Sequence, residues 1–103
     1  MPEIPKPFEE FKANYPRLFD AYEKLGKECL DVGPLDPKTR ELVKLGISIG
    51  ARMEGAAHSH TRRAIEKGAT PDELRHVALL ALTTLGFPNM MSALLWVEDI
   101  LKR

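Results

Sequence analysis

The chain has one cysteine, Cys29, in its 103 residues, so no disulfide can form within it. A disulfide-stapled scaffold is thereby excluded, and a reducing compartment is the natural setting. It also lacks any excess of charge. Fifteen basic and fifteen acidic side chains cancel, and neither sign forms a run. No electrostatic footprint for nucleic acid or an anionic membrane follows. Long apolar runs are missing as well. The longest, Val77 to Leu82, falls far short of the roughly 20 residues of a membrane span. The N-terminal MPEIPKPFEEF has no basic stretch followed by an apolar one, so no signal peptide is expected. The expectation is a cytoplasmic protein with neither nucleic acid nor membrane as a partner.

Sustained strand alternation is absent too, and what fills the chain is helical periodicity. Phe8, Phe11, Tyr15, Phe19, Tyr22 and Leu25 recur at three- and four-residue steps, and Pro16 divides them into a short helix and a second over about 16–30. Asp31-Val32-Gly33-Pro34 reads as a turn. Asp36-Pro37 starts a third helix reaching about Met53, with a stripe of Leu42, Leu45, Ile49 and Met53. Gly46 and Gly50 lie on a neighbouring face where a helix could approach closely. A fourth helix over about 56–67 carries Ala57, His60, Thr61, Ala64 and Ile65 inward and stops at Gly68. Thr70-Pro71-Asp72-Glu73 is a capping box opening a fifth helix over about 71–85. A sixth runs over about 88–102. The predicted fold is all-α, a compact bundle of about six helices forming a single domain over residues 1–103.

Helices five and six are apolar nearly all round. So small a chain has more apolar surface there than one thin core needs. A homo-oligomer with its interface near 71–85 and 88–102 is expected.

Three residues invite a chemical reading. His58 and His60 sit about 200° apart on a helix, so they cannot converge on one ion. No metal site and no cofactor are expected from them, and His58 falls on the solvated side with Arg62. His60 replaces an apolar residue on the inner stripe between Ala56 and Ala64. A core histidine is usually satisfied by a carbonyl or carboxylate, yet histidine is also the usual proton carrier near neutral pH. Glu41 lies at the edge of the third helix's stripe, where a partly buried carboxylate can orient a histidine on a packed neighbour. Its plain alternative is a first-turn glutamate favoured by the helix dipole. His76 reads as partly exposed or interfacial. Cys29 has acidic neighbours in Glu28 and Asp31 and no feature of a low-pKa thiol.

The order Leu35-Asp36-Pro37-Lys38-Thr39-Arg40-Glu41-Leu42, an apolar helix, and then His60-Thr61-x-x-Ala64-x-x-x-Gly68-Ala69-Thr70-x-x-Glu73-Leu74 resembles the carboxymuconolactone decarboxylase family. That family includes the alkylhydroperoxidase D-like proteins. The match is strongest over 35–95. Resemblance to the alkylhydroperoxidase D branch implies a glutamate, a CxxC pair, and a histidine four residues after the second cysteine. Glu41 and His60 fit the outer positions. Met53 and Ala56 stand where both cysteines belong.

The resemblance implies a thiolate attacking a peroxide, with the second thiol resolving it, and this chain lacks both. Met53 could form a sulfoxide but would not turn over without a reductase. Dithiol peroxidase activity is therefore not expected despite the peroxiredoxin-like label. Two readings stay open. One is cofactor-free acid–base chemistry, of decarboxylase or lactone type, on a small organic acid, with His60 moving the proton and Glu41 orienting it. Arg52 is a candidate for holding the developing enolate charge. The other is a non-catalytic oligomeric ligand-binding or scaffold protein. The resemblance also implies trimers or hexamers and a small carboxylate or lactone as ligand.

Overall fold

A computed structural model of the chain describes residues 4–102, all of whose regular elements are helices. They fall into two compact units, one ending at Leu35 and one beginning at Asp36. The first holds α1 (Lys6–Asn14) and α2 (Pro16–Asp31), each opened by a proline in its first turn. Proline is tolerated there because the first N–H groups of a helix have no partner to lose. Phe8 meets Phe19 edge-on at 5.7 Å, and Phe11 lies 6.4 Å from the same ring. On α2, Leu18, Tyr22 and Leu25 are each about 60% exposed.

The second unit contains α3 (Pro37–Gly50), α4 (Glu54–Glu66), α5 (Pro71–Leu79), the one-turn α6 (Leu82–Leu85) and α7 (Phe87–Leu101). Asp36 caps α3, accepting hydrogen bonds from the Thr39 backbone N–H and hydroxyl. Those bonds hold the Asp36 carboxyl below its ordinary pKa. Thr70 and Glu73 exchange both hydrogen bonds of the capping box at 3.1 and 2.8 Å. Leu45, Ile49, Leu74, Ala78, Val97 and Ile100 form the centre of the core, with Ala57, Ala64 and Ala93 at its close approaches. Small side chains on α4 let α3 and α7 come near it, which puts polar groups on facing helices within reach of one another.

Two expectations on helix ends change. The third helix ends at Gly50, and Met53 is 56% exposed instead of continuing its stripe. Arg52 takes a left-handed conformation, φ 61°, and the Met53 N–H reaches back to the Ser48 carbonyl at 2.9 Å. This is a Schellman closure, normally built on glycine. Gly68, φ 95°, closes α4 the same way, with the Ala69 N–H bonded to the Ala64 carbonyl. The fifth helix stops at Leu79 instead of about 85. The chain turns through Leu80 and Ala81 before α6 resumes. Seven helices thus stand among the described residues where about six were read, because an unbroken apolar run carries no signal for a turn inside it.

The glycine face of α3 lines an apolar cavity of about 410 Å3 with Leu42, Val77, Leu80 and Leu85. Gly46 faces Val77, whereas nothing packs within 4 Å of a Cβ placed on Gly50. No helix among the described residues is long and apolar enough to cross a membrane.

Candidate acid–base site

Two helix faces meet at Glu41 and His60. Glu41 lies on the second turn of α3, one turn before the fully buried Leu45. His60 lies mid-way along α4, between the buried Ala57 and Ala64 and beside Thr61, whose hydroxyl is tied to the Ala57 carbonyl at 2.8 Å. The imidazole Nδ1 stands 2.9 Å from Glu41 Oε1, with side-chain exposures of 13% for His60 and 4% for Glu41. An ionised carboxylate only accepts, so Nδ1–H donates and Nε2 keeps its lone pair. The sequence placed His60 on the inner stripe of its helix and Glu41 at the edge of another; the structure brings them into direct contact.

Burial pushes the His60 imidazole below its ordinary pKa of 6.5. Glu41 works against that shift through the hydrogen bond and its charge. Lys44 and Arg63 add to the lowering by repelling a proton from the ring. These two cations were not anticipated. Each lies three residues beyond its partner, Lys44 after Glu41 and Arg63 after His60, and such positions share a helix face. That spacing was the available signal. The site thus holds an imidazole of lowered proton affinity and a buried carboxylate bonded to it, with the charges of Lys44 and Arg63 felt at the ring.

Arg52 is placed elsewhere. Its guanidinium hydrogen-bonds Asn89 Oδ1 and lies 5.7 Å over the Trp96 ring, both on α7. His58 is not solvated as expected: its side chain is 18% exposed, and Nε2 lies 3.0 Å from Asp99 Oδ2. His58 therefore faces α7 while His60 faces α3, consistent with two histidines unable to share one ion. His76 and Cys29 are exposed.

The carboxymuconolactone decarboxylase family profile matches residues 16–99. The chain belongs to this family. The match extends upstream of the 35–95 stretch to take in all of α2. A carboxymuconolactone decarboxylase family protein from Legionella pneumophila has the same fold, with a TM-score of 0.77 at 24% identity over 92% of this chain and 85% of that one.

An uncharacterised protein of Methanocaldococcus jannaschii is 32% identical over 91% of this chain and 85% of its own length. An uncharacterised Haemophilus influenzae protein is 34% identical over 61 residues, 54% of its length. Nitrosuccinic acid decarboxylase of Metarhizium robertsii is 38% identical over 61 residues. Those residues are 59% of this chain and 43% of the decarboxylase, so the chain spans only about half the length of these last two relatives.

Proposed function

We propose that this protein is a cofactor-free decarboxylase-type enzyme for a small organic acid, with His60 as the proton carrier and Glu41 as its orienting partner. The contact between His60 Nδ1 and the buried Glu41 carboxylate carries this reading. A carboxylate bonded to Nδ1–H fixes the tautomer and stabilises the imidazolium that forms when Nε2 takes a proton. The lowered pKa of His60 keeps the ring a free base near neutral pH. Lys44 and Arg63 suit an anionic substrate at the same place. Similarity to a nitrosuccinic acid decarboxylase supports this substrate class.

The reaction balances without a cofactor when the carbon that bears the leaving carboxylate is itself bonded to an electron sink such as a carbonyl carbon or a nitro group. The carbon–carbon bond breaks, carbon dioxide departs, and its electron pair passes into the sink as an enolate or nitronate. A proton on His60 Nε2, taken from the incoming acid, is returned to carbon, while Glu41 keeps its hydrogen bond to Nδ1. Lys44 and Arg63 take the charge-stabilising role that Arg52, turned to α7, does not fill. General acid–base transfer of this kind contributes about 10²–10⁴-fold.

A homo-oligomer, trimeric or hexameric, is part of the same proposal. Leu80, Leu82, Phe87, Met91 and Leu95 are each 40–61% exposed along the α5–α7 segment, an apolar surface in keeping with subunit contact. A second reading, a non-catalytic ligand-binding or scaffold member, rests on Met53 and Ala56 standing where the resemblance to the alkylhydroperoxidase D branch would put its two cysteines.

The test is an NMR titration of the His60 ring against a panel of small carboxylic acids and lactones, with product followed in the same tube. Ring shifts on addition, and product formation that His60→Ala abolishes, are expected. Stable folding without ring response or product across the panel would establish the scaffold reading instead.

A further inference from the structure

His58 lies outside the acid–base pair, yet two carboxylates converge on it from two helices. Glu54 and His58 stand four apart on the first turns of α4, where such residues share a face. Asp99 reaches the same point from α7. His58 Nε2 lies 3.0 Å from Asp99 Oδ2 and 4.0 Å from Glu54 Oε2. All three donor atoms fall within 4.8 Å of one another.

An imidazole Nε2 carries at most one hydrogen, so it can satisfy only one of the two carboxylates. Asp99 takes that bond, and Glu54 at 4.0 Å is beyond hydrogen-bond range. A divalent cation removes the mismatch, because it accepts the Nε2 lone pair and both carboxylate oxygens at once. We propose that Glu54, His58 and Asp99 form a zinc site that staples the start of α4 to the end of α7.

The donor set and its spacing fit zinc better than the hard cations. One imidazole nitrogen suits a first-row transition ion, whereas calcium and magnesium favour oxygen alone. Tetrahedral zinc with bonds near 2.0–2.2 Å places its donors about 3.3 Å apart. The observed 3.0 and 4.0 Å bracket that spacing, so small rotations of the Glu54 and Asp99 side chains complete the site. The imidazole is already held, at 18% side-chain exposure, while Glu54 at 60% and Asp99 at 43% stay open to solvent and give an entry path. The helix N-terminus beside Glu54 carries partial positive charge that opposes a cation, and two carboxylates more than offset it. Three protein donors leave the fourth position to water or to a ligand carboxylate.

Isothermal titration of the chelator-treated full-length protein with zinc chloride, paired with the visible spectrum on adding cobalt(II), tests this. One equivalent is expected to bind, with the intense absorption of tetrahedral cobalt. Removing a direct ligand should cost more than the 10–100-fold that outer-shell partners cost, so His58→Ala is expected to weaken zinc binding more than about 100-fold. Glu54→Gln and Asp99→Asn should each weaken it more than about tenfold, while His60→Ala and His76→Ala leave it unchanged. Circular dichroism reports whether each variant is folded. Should His58→Ala unfold, cobalt-induced relaxation of ring protons in the unaltered protein decides. Selective broadening of His58 supports the site. Broadening centred on His60 or His76, less than one equivalent bound, or affinity unchanged in folded His58→Ala overturns it.

Discussion

At the scale of single residues, the proposed chemistry rests on one imidazole whose proton affinity is lowered beside a buried carboxylate. Burial dominates, so the folded pKa of His60 lies below 6.5, and Glu41 limits how far it falls. The unfolded chain then binds the proton more tightly than the folded one. The stabilisation from a neutral His60 is present above pH 6.5 and lost as pH falls through the folded value. Denaturant melts at pH 7.5 and 5.5 should show this loss in the native protein and not in a folded His60→Gln variant. Removing the charge of Glu41 removes what raises the ring's affinity for a proton, so the His60 pKa in Glu41→Gln is expected lower still. Ring-proton NMR reads both values; a native value above 6.5 would contradict the assignment. Met53 and Ala56 carry the opposite lesson at this scale. Without thiols at those positions, and with Cys29 exposed in the other unit, Cys29→Ser should leave any hydroperoxide assay where it was, with no dithiol-dependent turnover in either protein.

At the scale of helices, ends were written more plainly than middles. Asp36-Pro37, the Thr70–Glu73 box and Gly68 all sit where their chemistry placed them, because caps satisfy local backbone groups and need no tertiary partner. Gly68→Ala forces a side chain into left-handed backbone with nothing packed within 4 Å of its Cβ. The cost is conformational alone, about 1–2 kcal/mol, measurable by urea denaturation. Deleting the fully buried Leu74 side chain as Leu74→Ala should cost more, about 2–5 kcal/mol. The break after Leu79 was not legible, since Val77 to Leu82 has no glycine, proline or polar residue to mark it. Nor was the Schellman closure at Arg52, a residue type that rarely adopts positive φ. Inward faces could be read from periodicity, which put His60 on one and Glu41 at the edge of another. Their 2.9 Å contact depends on the relative register of two helices, and no single-helix pattern encodes that. His58 shows the same limit. Glu54 four residues before it was visible in the sequence, but Asp99 comes from another helix, so His58 read as solvated.

At the scale of the whole molecule, family membership fixes the architecture and leaves the chemistry to the site. The exposed apolar side chains on α7 are the surface on which the proposed assembly rests. Leu95 is 60% exposed, so Leu95→Glu should leave each chain folded while lowering the molar mass measured by light scattering; a native protein that is already monomeric would refute the assembly. The most direct test of the central claim is carbon dioxide release from small acids with a carbonyl or nitro group attached to the carbon that bears the carboxylate, nitrosuccinate first, by native protein, His60→Ala and Glu41→Gln at pH 7.5. Release by the native protein is expected, reduced at least about 100-fold in His60→Ala and less severely in Glu41→Gln. Release that persists undiminished in a folded His60→Ala would contradict the account.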